Sequence, residues 1–133
     1  MEQELIEQAR QKYEQSRMIE EQLAQVSEQL GNLELFKENI NKFESSNDKE
    51  IFASLGRGVF FSAEIKDKEF LVDVGAGILV RKNASQAKEI VDNQIKRLGE
   101  IGENLRNMLD NLAQELEEFA REIVKARDPQ EHI

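Results

Sequence analysis

Two short stretches of this chain have residue types and spacing that suggest chemistry. LGRGVFF, residues 55 to 61, and VGAGILV, residues 74 to 80, each carry a Gly-x-Gly followed by three apolar residues, nineteen positions apart. Glycine pairs of this kind can cradle phosphate, so nucleotide binding is the first chemistry to weigh. A dinucleotide fingerprint requires a third glycine three residues on and a helix behind it. Phe61 and Val80 occupy those places, and each sits in a strand-like pattern. No Gly-x-x-x-x-Gly-Lys occurs either, so there is no P-loop. The single histidine is His132, next to the end of the chain, where imidazoles are far more often inert than catalytic. Carboxylates are abundant, but they alternate with Lys and Arg at helical spacing, which is the pattern of a solvated surface. With no Cys, thiolate chemistry and thiolate-ligated metal are absent. The expectation is a protein that is not an enzyme, with no catalytic residue, no cofactor and no metal site.

Charge narrows the partners. The chain has 133 residues, a net charge of −9 and a pI near 4.8. Residues 1 to 44 hold ten acidic and five basic side chains, residues 84 to 133 hold eleven and seven, and the segment between them is balanced at six and six. Acidic flanks repel phosphate backbones and anionic membrane surfaces, so neither nucleic acid nor membrane is an expected partner. No apolar run approaches the roughly 18 residues a bilayer crossing needs. The start, MEQELIEQAR, lacks the basic and apolar regions of a secretory signal. A cytoplasmic location is expected.

The glycine stretches are held between two helical segments. Residues 1 to 44 contain one Gly and no Pro and are dense in good helix formers. Ile19, Leu23, Val26, Leu30 and Leu33 recur in steps of three and four, and the frame extends back through Ser16, Lys12, Ala9 and Leu5. Beyond Leu33 it slips by one, to Phe36, Ile40 and Phe43, as in a stammer. Residues 84 to 127 carry a matching stripe from Val91 through Ile95, Leu98, Ile101, Leu105, Leu109, Leu112, Leu116, Phe119 and Ile123 to Ala126. Asn83-Ala84-Ser85 supplies capping residues and Asp128-Pro129 a stop. A sustained period near 3.5 residues indicates a coiled coil. Segments of about 44 residues are each about 66 Å long as helices, and equal length suggests an antiparallel pair. Pairing positions that sum to about 128 sets apolar against apolar along most of the seam. The exceptions are Lys12 opposite Leu116 and Ser16 opposite Leu112.

The segment from 50 to 82 alternates with period two, rich in aromatic and β-branched residues. Gly56-Arg57-Gly58 and Gly75-Ala76-Gly77 fit tight hairpin turns, since glycine reaches positive φ without steric cost. Asp67-Lys68 fits the link between two tandem hairpins. The chain therefore reads as one α+β domain over 1–133: a coil helix at 1–44, two β-hairpins at 50–82 and a second coil helix at 84–127. The compact helical bundle is the competing architecture. Long helices with a seam only two to three residues wide do not suit a globular core. Two hairpins cannot bury enough surface alone, and their open edges can pair with other chains. Leu55, Val59, Phe61, Val72, Val74, Ile78 and Val80 are the expected assembly residues, around turns made by Gly56, Gly58, Gly75 and Gly77.

Helix, two Gly-x-Gly hairpins, helix: the chain resembles the alpha-class subunits of prefoldin, most specifically across LGRGVFFSAEIKD and FLVDVGAGILVRKNASQA. Beta-class subunits have one hairpin, so the second hairpin decides the class. Alpha-class subunits usually carry Val-Pro-Leu/Ile-Gly before the first turn, where this chain has Ala53-Ser54-Leu55-Gly56 without Pro. The resemblance implies hairpins that oligomerise into a β-barrel platform, and an ATP-independent holdase. Unfolded client proteins would be held at the coil tips and passed to a group II chaperonin. Partners would be beta-class prefoldin subunits or copies of the chain itself. On the antiparallel register the tip consists of Leu5, Ile6 and Ala9 beside Phe119, Ile123 and Val124, with Tyr13 one turn further in. Lys12 and Ser16 weaken the zipper there and let it splay. Two other readings keep the fold: a paralogue whose hairpins pair head-to-tail into homo-oligomers or filaments, and a passive coiled-coil scaffold for one folded partner.

Overall fold

A computed structural model describes residues 2–127 of the chain. Two helices of 44 residues, α1 (Glu2–Ser45) and α2 (Ala84–Arg127), flank four strands: β1 (Glu50–Gly56), β2 (Val59–Glu64), β3 (Glu69–Asp73) and β4 (Leu79–Asn83). The strands form two separate antiparallel pairs, β1 with β2 and β3 with β4. This is the architecture the alternation and the glycines predict. His132 and the Asp128-Pro129 stop lie outside the described residues. Two compact units can be distinguished, one drawing on α1 up to Gly31 and α2 from Lys96, the other comprising Asn32–Ile95.

In the first unit the helices run antiparallel around a buried cluster of Ile19, Leu105 and Leu112, with Leu23, Val26 and Leu109 packed against it. The predicted register holds: Gly102 sits opposite Val26, and a Cβ on it would stand 3.5 Å from Val26 Cγ1. Gly102 therefore takes the seam position, while Ile101, expected in the stripe, is exposed. Absence of a side chain lets Leu23 and Val26 pack directly against the α2 backbone. Lys12 does not face Leu116 unpaired. Its stem covers the seam, and its ammonium reaches 3.1 Å from Glu115 Oε2, the snorkelling habit of a long cationic side chain. Ser16 Oγ donates to the Tyr13 carbonyl of its own helix at 3.0 Å, which satisfies the hydroxyl beside the seam. Arg127 Nε donates to Glu2 Oε1 at 2.6 Å.

The second unit has its own core of Ile40, Ala84, Ala87 and Val91, joined by Leu33, Phe70 and Ile95. The expected slip does not come at Phe36, although Ile40 and Phe43 are covered as expected. Lys37 is half-buried in the regular frame and reaches Asp92 at 2.6 Å, so Phe36 is turned outward. The irregular step lies instead in α2, where Ala87, Val91 and Ile95 follow at two successive intervals of four, a stutter that locally unwinds a coil. The start of α2 is closed by a capping box. Asn83 Oδ1 accepts from the Gln86 N–H at 2.8 Å, and Gln86 Oε1 accepts from the Asn83 N–H at 3.0 Å. At the other junction Lys68, in the link between hairpins, donates from Nζ to the carbonyls of Glu44 at 2.7 Å and Ser46. A cation there satisfies orphan carbonyls and complements the helix dipole.

Candidate functional site

The two hairpins are built on one plan. Strand positions pair as Ile51↔Ala63, Phe52↔Ser62, Ala53↔Phe61 and Ser54↔Phe60 in the first, and as Phe70↔Lys82, Leu71↔Arg81, Val72↔Val80 and Asp73↔Leu79 in the second. Each closes with two central residues at positive φ, Arg57 (53°) with Gly58 (78°) and Ala76 (52°) with Gly77 (75°). That is the signature of a type I′ turn, whose twist matches the flanking strands. The residue before each turn is also at positive φ, Gly56 at 101° and Gly75 at 129°. A Cβ at either would meet no atom within 4 Å, so glycine is required by backbone conformation and not by space. Two positions before each of these glycines stands a side-chain acceptor. Ser54 Oγ takes the Gly56 N–H at 3.1 Å, and Asp73 Oδ1 takes the Gly75 N–H at 2.8 Å. The register shift between Ser54 and Gly56 leaves Leu55 as a bulge. Ser54 thus makes a local hydrogen bond that sequence reading missed. Its signal was available: Ser54 and Asp73 are nineteen residues apart, like the glycines.

What covers the hairpins differs sharply. Phe70, Val72, Val80 and Lys82 alternate onto one face of the second hairpin. Phe70 packs against Phe43 with ring centroids 5.3 Å apart and the planes tilted by 53°, and joins the helical core. Val72 and Val80, expected among the free assembly residues, are half-buried on this inner face. Val74, Ile78 and Leu79 are exposed, as are Leu55, Val59 and Phe61 in the first hairpin. Phe52 is 76 % exposed, Leu55 71 % and Phe60 61 %. Large apolar side chains left in water on a short two-stranded ribbon make it a candidate interaction surface.

At the coil end, Leu5, Ala9, Phe119 and Ile123 are half-buried along the seam, while Ile6, Tyr13 and Val124 are exposed. The structure brings the first four to the zipper line and leaves the other three on its outside. Arg10 and Glu7 form an exposed ion pair at 2.7 Å, and the guanidinium's hydrogen bond and charge hold the Glu7 carboxyl below its ordinary range. Among the described residues, no three His, Asp or Glu side chains gather closely enough to share a metal ion, and no helix is long and apolar enough to cross a membrane.

Comparison with known proteins places this geometry in context. The family model for Prefoldin, described as prefoldin subunit, matches residues 3–126. The protein named prefoldin subunit alpha from Archaeoglobus fulgidus is 33% identical over 88 residues, covering 65% of this chain and 64% of that protein. Prefoldin subunit alpha 2 from Thermococcus kodakarensis is 31% identical over 81 residues, covering 60% and 57%. The matched part of the chain thus spans less than two thirds of either relative. A solved structure of filamentous PFD from Methanocaldococcus jannaschii superposes with a TM-score of 0.75 at 16% identity, covering 87% of this chain and 98% of that one. At that identity the likeness is one of fold.

Proposed function

Because this chain belongs to the prefoldin family, we propose that it is an ATP-independent holdase that works as one unit over residues 1–133. It assembles through its hairpins with beta-class subunits or with copies of itself, holds non-native polypeptides at the coil ends, and delivers them to a group II chaperonin. One observation carries this reading: Phe52, Leu55, Val59, Phe60 and Phe61 on the first hairpin, and Val74, Ile78 and Leu79 around the turn of the second, stand exposed. Burying them between chains removes apolar area at roughly 25 cal/mol per Å². At the coil end, Ile6, Tyr13 and Val124 offer apolar surface outside the seam, so client contact does not require the zipper to open. Each tip holds weakly, and several tips on one platform gain by avidity. Removing residues 1–9 and 119–133 tests the tip: the truncated chain is expected to assemble yet fail to suppress aggregation of a denatured test protein. Full suppression would move client holding elsewhere.

Self-assembly is a second reading, supported by the fold shared with a filamentous PFD. Electron microscopy of the purified chain separates it from the hetero-oligomeric reading, which predicts no closed ring or fibre without a partner subunit. Nucleotide plays no part in either reading. Calorimetry with ATP and magnesium should give no binding heat, and a saturable isotherm would contradict both.

A further inference from the structure

We infer that the first hairpin of one copy seats in a groove on the second unit of another copy, in a head-to-tail contact. The inference rests on assembly through the hairpins and specifies where they go. A cavity of about 350 Å³ opens between the inner face of the second hairpin and the helices, walled by Phe36, Phe70, Leu71, Val72, Ile90 and Val91. Phe36 is 53 % exposed there because the coil frame turns it out of the seam. No residue of the first hairpin lines this groove in its own chain.

The matching knob is on the same molecule. Phe52 pairs across the ribbon with Ser62, and Phe60 with Ser54, so alternation places two phenyl rings diagonally on one face, with serines between them and the Glu50–Glu64 pair beyond Phe52 at the end away from the turn. Such a face is two projections on a flat ground, and each aromatic ring buries about 150–250 Å² when covered. At the turn end charge agrees with shape. Arg57 is the charged residue there, and Glu50 and Glu64 stand at the opposite end of the hairpin. Asp73 lines the groove, and neither it nor Arg57 forms an ion pair among the described residues. A knob and a hole on different parts of one surface make a heterologous contact, which propagates or closes into a ring.

The test uses the full chain with two kinds of variant. Phe52→Ser/Phe60→Ser removes the knob and leaves serine at all four of these paired positions. Phe36→Glu blocks the hole from an exposed helical position outside the hairpins, and Phe36→Leu is its apolar control. Sedimentation is expected to show the parent and Phe36→Leu assembled, and the knob and hole variants each monomeric. A one-to-one mixture of those two variants should form dimers and nothing larger, since one intact knob meets one intact hole. Normal assembly of Phe36→Glu, with the knob variant monomeric, would overturn the groove and leave hairpin assembly standing. A mixture that stays monomeric would overturn it too, in favour of symmetric hairpin pairing. Normal assembly of the knob variant would overturn the groove and leave assembly through Leu55, Val59, Phe61, Val74, Ile78 and Leu79 standing. If Phe36→Glu loses helical circular dichroism, Leu71→Glu on the opposite wall replaces it in the same mixing experiment, with the same outcomes deciding.

Discussion

The two hairpins share a backbone plan and differ in what lies beneath them. The second rests one face on its own helices through Phe70, packed against Phe43. At the equivalent place nineteen residues earlier the first has Ile51, which is exposed. A repeated turn therefore fixes local geometry in both, while the side chain at one strand position decides whether the hairpin joins its own chain's core or is left uncovered. If the contrast is real, Phe70→Ala should cost about 2–3 kcal/mol, because it removes an aromatic from a packed cluster. Ile51→Ala should cost less than about 1 kcal/mol in a chain whose hairpin has no cover. Urea denaturation followed by circular dichroism measures both, at matched and low protein concentration, since assembly would itself stabilise by mass action. Equal losses would break the contrast.

Below the packing difference, the two turns should behave alike. Gly56→Ala and Gly75→Ala each force an L-residue into φ of 101° or 129°. Each should cost about 1–3 kcal/mol. Both losses, read from the same denaturation curves, should fall in that range. A cost at one turn alone would mean that the shared dihedrals do not reflect a shared requirement.

Much of this molecule was legible in its sequence because its elements announce themselves locally. Periodicity gave both helices, the nineteen-residue repeat gave both hairpins, and Asn83 marked the start of the second helix that Gln86 completes. The errors share a cause. At Phe36 and Ile101 an apolar residue stands one place from the seam, and the position itself is filled by Lys37 and by Gly102. Hydrophobicity pulled the frame onto the wrong neighbour. A lysine whose ammonium reaches Asp92 and a glycine that Val26 packs against are both sound seam residues, but neither carries an apolar signal. The split fate of the hairpin valines was equally hidden. Alternation puts Val72 and Val80 on one face, and only the docking of Phe70 shows that this face turns inward.

The smallest effect concerns the acceptors before the turns. Ser54 and Asp73 differ in charge, size and position on the surface, yet each accepts the N–H of the glycine two residues on. Aspartate and serine both make this local bond, the carboxylate through a stronger acceptor and the hydroxyl more weakly. Replacing either by Ala frees an exposed N–H that water can satisfy, so the loss is the net worth of one hydrogen bond, about 0.5–1.5 kcal/mol. Exchanging the two, Ser54→Asp in one variant and Asp73→Ser in another, preserves the acceptor and should change stability by less than about 0.5 kcal/mol, the usual bound for surface substitutions. Thermal denaturation of the four variants together gives the comparison. Exchange variants as unstable as the alanine variants would show that something other than the bond to glycine selects these side chains. Ser54 and Asp73 would then be distinct devices at two turns that only look alike.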